Sequence, residues 1–153
     1  MNVVVGSDHA GFRLKQALTA YLREKGIHCI DVGTDQAARC DYPDFAVLAC
    51  DKIIDGEADW GLLICGTGIG MAMTANKVTG IRAAVLSDTF SARGTRAHNN
   101  ANVLCLGERV VGLGLAQQIV DVWLATPFEA GRHQQRIDKI SATEQRNQHK
   151  NHE

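Results

Sequence analysis

The stretch that decides the fold is Trp60-Gly61-Leu62-Leu63-Ile64, followed directly by Cys65-Gly66-Thr67-Gly68-Ile69-Gly70. The apolar run is typical of a buried strand, and the glycines after it predict a turn into a helix over residues 71–77. Three glycines at alternate positions leave backbone N–H groups uncovered, so the loop can hold an anion or an oxyanion. Its partial positive charge also favours a thiolate at its edge. One turn therefore predicts both a base or nucleophile, Cys65, and a seat for negative charge.

The same pattern also fits a simpler interpretation, in which the glycines only make the turn and let helix and strand pack closely. The spacing excludes three familiar loops. Met71 stands where the dinucleotide fingerprint needs a third glycine, and no Gly-Lys-Ser/Thr follows as in a P-loop. A cysteine phosphatase loop would need an arginine at the position of Met71. The local pattern leaves function and packing both open.

Strand-like and helix-like segments alternate along the whole chain. Strands are predicted over residues 3–5, 29–33, 60–64, 81–86 and 102–106. Helices are predicted from Leu14 to a cap at Gly26, and over 43–56, 71–77, 89–96 and 113–123. This order predicts an α/β fold, a Rossmann-like three-layer sandwich around a mainly parallel five-stranded sheet. We expect one domain spanning residues 1–153.

The C-terminal segment differs in kind from the rest. Residues 132–147 have a helix-forming composition, yet only Ile137 and Ile140 are clearly apolar at helical spacing. Such a helix buries little by itself, so it predicts either packing on a partner subunit or a solvated helix. Residues 148–153 are expected to be a frayed tail.

Composition excludes several classes of function. The 153 residues carry a net charge of −1, with 45% hydrophobic and 22% charged residues, as in an ordinary globular protein. Neither a nucleic-acid nor a membrane partner is expected, and no targeting segment is apparent. Five cysteines without a CxxC pair predict a reducing, cytoplasmic location rather than disulfides or a zinc site. Cys29, Cys50 and Cys105 are predicted core residues, and Cys40 is given no role.

Polar residues follow several predicted strands. Asp8-His9 follows the first, Cys65-Gly66-Thr67 a middle one, and Gly107-Glu108-Arg109 a later one. Ligands of doubly wound sheets bind beyond the carboxyl ends of the strands, so these segments are candidate site residues.

These and other polar residues also have simpler interpretations. Asp8 could be a helix N-cap, and His98 a cation at a helix C-terminus. Arg132, His133 and Arg136 could form a solvated face. Their joint occurrence with a thiol and an oxyanion loop favours a site for a phosphorylated substrate with an acidic proton.

The chain resembles the type B ribose-5-phosphate isomerases, a family that also contains galactose-6-phosphate and allose-6-phosphate isomerases. The resemblance runs from Val3 to about Arg146 and rests on seven ordered motifs. One subtype of the family has a glutamate base at the position of Met71, so Cys65 places this chain with the cysteine subtype. The motifs are Gly6-Ser7-Asp8-His9-Ala10-Gly11-Phe12, Asp41-Tyr42-Pro43, Cys65-Gly66-Thr67-Gly68-Ile69-Gly70, Ala75-Asn76-Lys77, His98-Asn99-Asn100, Arg109-Val110-Val111-Gly112 and Gly131-Arg132-His133-Gln134-Gln135-Arg136.

The resemblance implies interconversion of ribose 5-phosphate and ribulose 5-phosphate, a step of the pentose phosphate pathway, through ring opening and an enediolate. It gives ring opening to His98, since imidazole both accepts and donates protons near neutral pH. It gives proton transfer between the two carbons to Cys65, with Thr67 assisting. Backbone N–H groups of Gly66, Thr67, Gly68, Ile69 and Gly70 would stabilise the enediolate, which requires no metal or other cofactor.

The resemblance also assigns substrate contacts. Asp8 and Asn99 would hold sugar oxygens. His9, Arg109, Arg132 and Arg136 match the phosphate-binding positions, a task that suits the planar fork of arginine. The family's site lies between two subunits, so a homodimer is expected, with tetramers as a further assembly. Two alternatives remain, a hexose-6-phosphate isomerase and a non-catalytic subunit of a heteromeric enzyme.

Overall fold

The computed structural model describes residues 1–150 and contains five strands and six α-helices. The strands are β1 (Asn2–Ser7), β2 (His28–Asp31), β3 (Trp60–Cys65), β4 (Ala83–Val85) and β5 (Val103–Gly107). The helices are α1 (Phe12–Glu24), α2 (Tyr42–Ile54), α3 (Ile69–Ala75), α4 (Thr89–Ala97), α5 (Leu113–Ala125) and α6 (Arg132–Lys150). A short 3-10 turn, His9–Gly11, joins β1 to α1.

All five strands form one parallel sheet in the order β2-β1-β3-β5-β4. This confirms the predicted α/β class and parallel sheet. Residues at equivalent depth are Ser7 beside Ile64, and Cys65 beside Gly107. The carboxyl ends of β1, β3 and β5, the three central strands, therefore meet at one edge of the sheet.

Side chains alternate between two apolar layers along the central strands. Val3 and Val5 of β1 face the layer formed with α1, α4 and α5, whereas Val4 faces the layer formed with α2 and α3. Trp123 of α5 is almost fully buried in the first layer and makes an edge-on contact with Trp60. Burial on both faces explains why β3 and β5 are continuous apolar runs rather than alternating ones.

Several element boundaries differ from the prediction by a few residues, and two of these differences have clear local reasons. Helix α3 begins at Ile69, two residues before the predicted start, because Gly68 takes a left-handed conformation and starts the helix there. Strand β4 is three residues long, shorter than predicted, because Ile81 donates to the Val78 carbonyl in a turn. The Arg82 N–H donates to the Asn102 side-chain oxygen at 2.7 Å instead of to the backbone of a neighbouring strand.

Helix α6 continues to Lys150, so residues 148–150, expected in a frayed tail, are helical. Two side-chain contacts hold this end: Gln148 Nε2 donates to Thr79 Oγ1, and Gly80 N–H donates to Glu144 Oε2 at 3.2 Å. The remaining part of the expected tail, 151–153, lies outside the described residues. In residues 1–150, no helix has the length and apolar character needed to cross a bilayer.

Candidate active site

The carboxyl edge of the sheet brings together the first group of candidate residues. Asp8 follows β1, Cys65 ends β3, and Arg109 comes two residues after the end of β5. The loops after β3 and β5 are joined by two backbone hydrogen bonds, from Glu108 N–H to the Cys65 carbonyl and from Arg109 N–H to the Gly66 carbonyl. The structure thus confirms that these strand-end segments are neighbours.

The thiol of Cys65 lies inside the turn of its own loop. Its side chain is buried, and the Gly68 N–H donates to Sγ across 3.1 Å. Gly68 has φ +81°, and a Cβ there would lie 2.9 Å from the Leu106 carbonyl carbon. Only glycine fits this left-handed position beside a neighbouring strand without strain. The turn therefore presents a backbone N–H to the sulfur, where it stabilises negative charge.

Tyr42 closes the other side of the loop. A Cβ at Gly70 would lie 2.6 Å from carbons of the Tyr42 ring, so the ring packs directly on the loop backbone. Tyr42 begins α2 and follows a long connection from β2. The buried ammonium of Lys15 holds the start of that connection, donating to Asp31 at 2.8 Å and to the Thr34 carbonyl at 2.7 Å.

The side chains of Asp8 and His9 contact backbone groups of nearby turns. Asp8 Oδ1 accepts from the N–H groups of Ala10 and Gly11 at 3.0 and 3.1 Å, which confirms the N-cap interpretation for the 3-10 turn. His9 Nδ1 lies 3.3 Å from the Cys40 backbone nitrogen and 3.2 Å from its carbonyl oxygen. These contacts fix the orientation of both side chains.

Arg109, Thr67 and Ile69 surround the loop on its open side. Arg109 is exposed, and its guanidinium extends over Gly66, where a Cβ would lie 3.3 Å from Nη1. Thr67 and Ile69 are both exposed, and Thr67 Oγ1 accepts from the Ile69 N–H at 3.3 Å. A positive side chain and a hydroxyl therefore border the same glycine-rich backbone as the thiol.

The second group of candidates lies at the opposite edge of the sheet. Helix α4 runs from the carboxyl end of β4 back to the amino end of β5, and His98 is its C-cap. The five residues of β5 span roughly 16 Å at about 3.3 Å each. Within one chain, His98 is therefore separated from Cys65 by about the length of a strand. The structure confirms that His98 lies at a helix C-terminus and does not bring it to the thiol.

Two half-buried or buried arginines hold the turn that carries His98 and Asn99. Arg96 donates to the Ala101 carbonyl at 2.6 Å and to Asn100 Oδ1 at 3.0 Å, and Arg82 donates to the Asn100 carbonyl at 3.0 Å. Asn100 has φ +46°, which these bonds support. The guanidinium of Arg96 stacks 3.8 Å from the centre of the Trp60 ring, and burial lowers its pKa. His98 and Asn99 themselves are exposed.

Helix α6 begins beside this turn. Its first residues show that the interpretation of a fully solvated basic face was wrong. Arg132 and Arg136 are exposed, as a solvated or ligand-binding face requires, but His133 between them is buried. Its imidazole stacks on that of His98, with ring centroids 4.4 Å apart and planes 15° apart. The basic cluster is therefore not uniformly solvated, because His133 faces inward.

Glu129 is a residue that sequence reasoning missed. Its Oε2 lies 3.4 Å from His133 Nε2 and 3.9 Å from His98 Nε2. The sequence does place a Glu four residues before a His, a spacing that brings two side chains together on a helix. Glu129 precedes α6, however, so this spacing did not predict the contact.

The two groups do not form one pocket in the single chain. Within residues 1–150, no hydrogen bond or ion pair joins the group of Asp8, Cys65 and Arg109 to the group of His98 and Arg132. A cleft of about 420 Å³ beside α4 includes His98, Asn99 and Glu129, with Phe90 at its border. A larger one of about 890 Å³, between β4 and α6, includes Asn99. Neither contains Cys65.

All five cysteines are free, and four of them are buried. Burial raises the pKa of the Cys50 thiol to about 11 and that of Cys105 well above its ordinary value. Both side chains pack in the apolar layer between the sheet and the helices α2 and α3, as does Cys65. Cys29 is likewise a core residue, so the three predicted core cysteines are confirmed.

Comparison with known proteins identifies the family. The sequence model described as ribose/galactose isomerase matches residues 3–140. Ribose-5-phosphate isomerase B of Escherichia coli is 51% identical over 144 residues, covering 94% of this chain and 97% of that protein.

Solved structures agree in both fold and sequence. Ribose-5-phosphate isomerase B of Clostridium thermocellum superimposes with a TM-score of 0.95 at 48% identity, over 96% of this chain and 99% of that one. The enzyme of Mycoplasma genitalium with bound ribulose 5-phosphate gives a TM-score of 0.89 at 45% identity, over 94% and 96%. With the family match covering nearly the whole chain and the same parallel sheet in the solved relatives, this chain belongs to the ribose/galactose isomerase family.

Proposed function

We propose that this protein interconverts ribose 5-phosphate and ribulose 5-phosphate. The observation that carries the proposal is the buried Cys65 thiol, held 3.1 Å from a backbone N–H inside a glycine-rich turn. An aldose–ketose isomerase needs a base beside fixed donors, because a proton moves between adjacent carbons while charge develops on two oxygens. Relatives with about half of their residues identical are named ribose-5-phosphate isomerase B, which favours this substrate over hexose phosphates and over a non-catalytic subunit.

In the proposed reaction Cys65 removes the proton alpha to the carbonyl and returns it to the neighbouring carbon. The negative charge on the enediolate oxygens faces the N–H groups of residues 66–70. Losing one such donor typically lowers the rate by ~10²–10³. Thr67 borders the same backbone and assists by hydrogen bonding.

Ring opening must precede this step, because the sugar is mainly cyclic. We assign it to His98, with Asp8 and Asn99 holding sugar oxygens. The phosphate is assigned to His9, Arg109, Arg132 and Arg136. Of these, Arg109, Arg132 and Arg136 are exposed and therefore free to meet an anion.

These roles require two subunits. Cys65 and Arg109 lie at the carboxyl edge of the sheet, and His98 and Arg132 at the amino edge. A substrate as small as a pentose phosphate cannot span a strand length, so we propose a homodimer in which one subunit supplies Cys65 and its partner supplies His98. The sparsely apolar α6 and the exposed ring of Phe90, which borders the same cleft as His98, fit such an interface. The five free cysteines fit a reducing cytoplasm.

Substrate turnover by the purified protein alone tests the proposal. We expect reversible conversion of ribose 5-phosphate, with kcat/KM at least about tenfold higher than for allose 6-phosphate or galactose 6-phosphate. Preference for a hexose phosphate would contradict the substrate assignment. Activity that appears only with a second protein would support the non-catalytic alternative.

His98→Asn provides a second test on the same protein. We expect turnover of cyclic sugar phosphate to fall far more than that of an open-chain analogue, because only the cyclic form needs ring opening. Equal losses on both substrates would remove His98 from this role.

A further inference from the structure

Three potential metal ligands meet beside the end of α4. Glu129 Oε2 lies 3.4 Å from His133 Nε2 and 3.9 Å from His98 Nε2. The ligand atoms of the three residues all lie within 4.8 Å of one another. Both Nε2 atoms lie within 4 Å of the same carboxylate oxygen, and the two imidazoles stack with planes 15° apart. We refer to these three residues as the His–Glu–His cluster.

Backbone hydrogen bonds fix the segments that carry the three residues of the cluster. The Glu129 N–H donates to the Ala97 carbonyl at 3.0 Å, which ties Glu129 to the residue preceding His98. Ala130 and Gly131 both take left-handed conformations, with φ +55° and +56°. This turn leads directly into α6, where His133 N–H donates to the Ala130 carbonyl at 3.0 Å. A non-glycine residue held at positive φ shows that the surrounding structure fixes this turn.

The distances between the ligand atoms of the cluster are close to those found around a bound metal ion. A tetrahedral ion with bonds of about 2.0–2.2 Å places its ligand atoms about 3.3–3.6 Å apart. The His133–Glu129 pair is already within that range at 3.4 Å, and the His98–Glu129 pair exceeds it slightly at 3.9 Å. The side chains of His98 and Glu129 are 52% and 55% exposed, so both can move toward an ion, whereas His133 is 9% exposed and acts as the fixed ligand.

We propose that the His–Glu–His cluster binds a divalent ion of the zinc, cobalt and nickel class, and that the bound ion inhibits the enzyme. Two imidazoles and one carboxylate are a donor set that suits these ions, with water completing the coordination. The ion would occupy Nε2 of His98, the side chain assigned to ring opening. Only the inhibitory part rests on the proposed function, because binding can be measured without substrate.

Cobalt binding to chelator-treated protein tests the site directly. We expect Co²⁺ to bind one site per chain, with a visible spectrum typical of nitrogen and oxygen ligands. His133→Asn and Glu129→Gln should each weaken binding at least tenfold, measured by calorimetry. Glu129 is half exposed, so Glu129→Gln keeps the test valid if His133→Asn folds poorly. His149→Asn, on an exposed histidine far along α6, is the matched control and should bind like the wild type.

Several outcomes would overturn the proposal. Unchanged affinity in both Glu129→Gln and His133→Asn would exclude the cluster, and an intense near-ultraviolet sulfur-to-cobalt band would place the ion on a cysteine instead. We expect Co²⁺ or Zn²⁺ to inhibit wild-type turnover reversibly, with chelator restoring it, and to inhibit Glu129→Gln only at tenfold higher concentration. Binding without inhibition would refute the inhibitory role. Binding by a protein that lacks isomerase activity would support the site while contradicting the proposed function.

Discussion

The Cys65 sulfur and the Gly68 backbone nitrogen lie 3.1 Å apart, so the loop donates a hydrogen bond to the thiol from within its own turn. The bond depends on the left-handed conformation of Gly68, φ +81°, which glycine adopts without the steric cost of a side chain. The conformation also lets the loop approach the backbone of β5 at Leu106. The N–H directed at the sulfur and the close packing of the loop therefore depend on the same glycine, so the two interpretations that the sequence left open are compatible.

Gly68→Ala should separate activity from folding. The added methyl group would lie 2.9 Å from the Leu106 backbone, so the loop must shift and move its N–H groups away from the sulfur. We expect kcat to fall by ~10² with a smaller change in KM, measured by steady-state kinetics, while circular dichroism shows a folded protein.

Gly114→Ala is the matched control for this substitution. A Cβ at Gly114 meets nothing within 4 Å, and the residue lies in the first turn of α5. Its kcat should stay within about twofold of the wild type, and its stability should be equal or higher by up to about 1 kcal/mol. A wild-type kcat in Gly68→Ala would contradict the proposal that the N–H groups of the loop stabilise negative charge.

Cys65→Ala should abolish proton exchange at the carbon alpha to the carbonyl. Affinity for ribose 5-phosphate should stay within about threefold, because phosphate binding is assigned to other side chains and the thiol acts in the transition state. Deuterium incorporation from solvent, followed by NMR, measures the exchange. Cys40→Ala is the control, since Cys40 is half-buried and outside the loop. Near-normal exchange in Cys65→Ala would remove the thiol from the role of base.

Lys15→Met tests whether the buried Lys15 ion pair stabilises the connection between β2 and α2. The side chain of Lys15 is 2% exposed, and its ammonium donates to Asp31 and to the Thr34 carbonyl. Methionine has nearly the same length but no donor, so the Thr34 carbonyl loses this hydrogen bond and Asp31 keeps only the Gly33 N–H as a donor. We therefore expect the unfolding free energy to fall by roughly 2–4 kcal/mol in urea denaturation. Because the connection that Lys15 anchors leads to Tyr42, whose ring packs on Gly70 of the glycine-rich loop, kcat should also fall.

The comparison for Lys15 is Lys25→Met, on the exposed pair of Lys25 and Asp121. Side chains that remain in water contribute little to stability, so this variant should denature like the wild type. Equal losses of unfolding free energy in the two variants would show that burial of the Lys15 ion pair does not contribute to its effect on stability.

The sequence predicted all strands and helices because hydrophobic period and glycine positions are local signals. It also predicted a glycine-rich turn that places backbone N–H groups at the Cys65 thiol, since the thiol and the glycines are contiguous. It did not reveal the inward orientation of His133, because exposed and buried histidines of a helix look alike when few apolar residues define its face. It did not reveal Glu129 either, whose contacts depend on the Ala130 turn. Both follow from tertiary packing rather than from spacing.

The separation of His98 from Cys65 leads to the most direct test of the shared site. A Cys65→Ala chain and a His98→Asn chain should each form inactive homodimers. In a mixed dimer, one site carries both lesions, whereas the other combines intact Cys65 from one chain with intact His98 from its partner. Co-refolding the two variants should therefore restore activity.

Random pairing makes half of the dimers mixed, each with one working site of two, so recovery should reach about a quarter of the wild-type activity. Native mass spectrometry would verify that mixed dimers are present. As a control, co-refolding Cys65→Ala with Gly68→Ala should restore no activity beyond that of Gly68→Ala alone, because both lesions lie in the same half of the site. If verified mixtures of Cys65→Ala and His98→Asn stay inactive, the two residues do not act across the interface. The strand-length separation within one chain would then need a conformational change to bring them together.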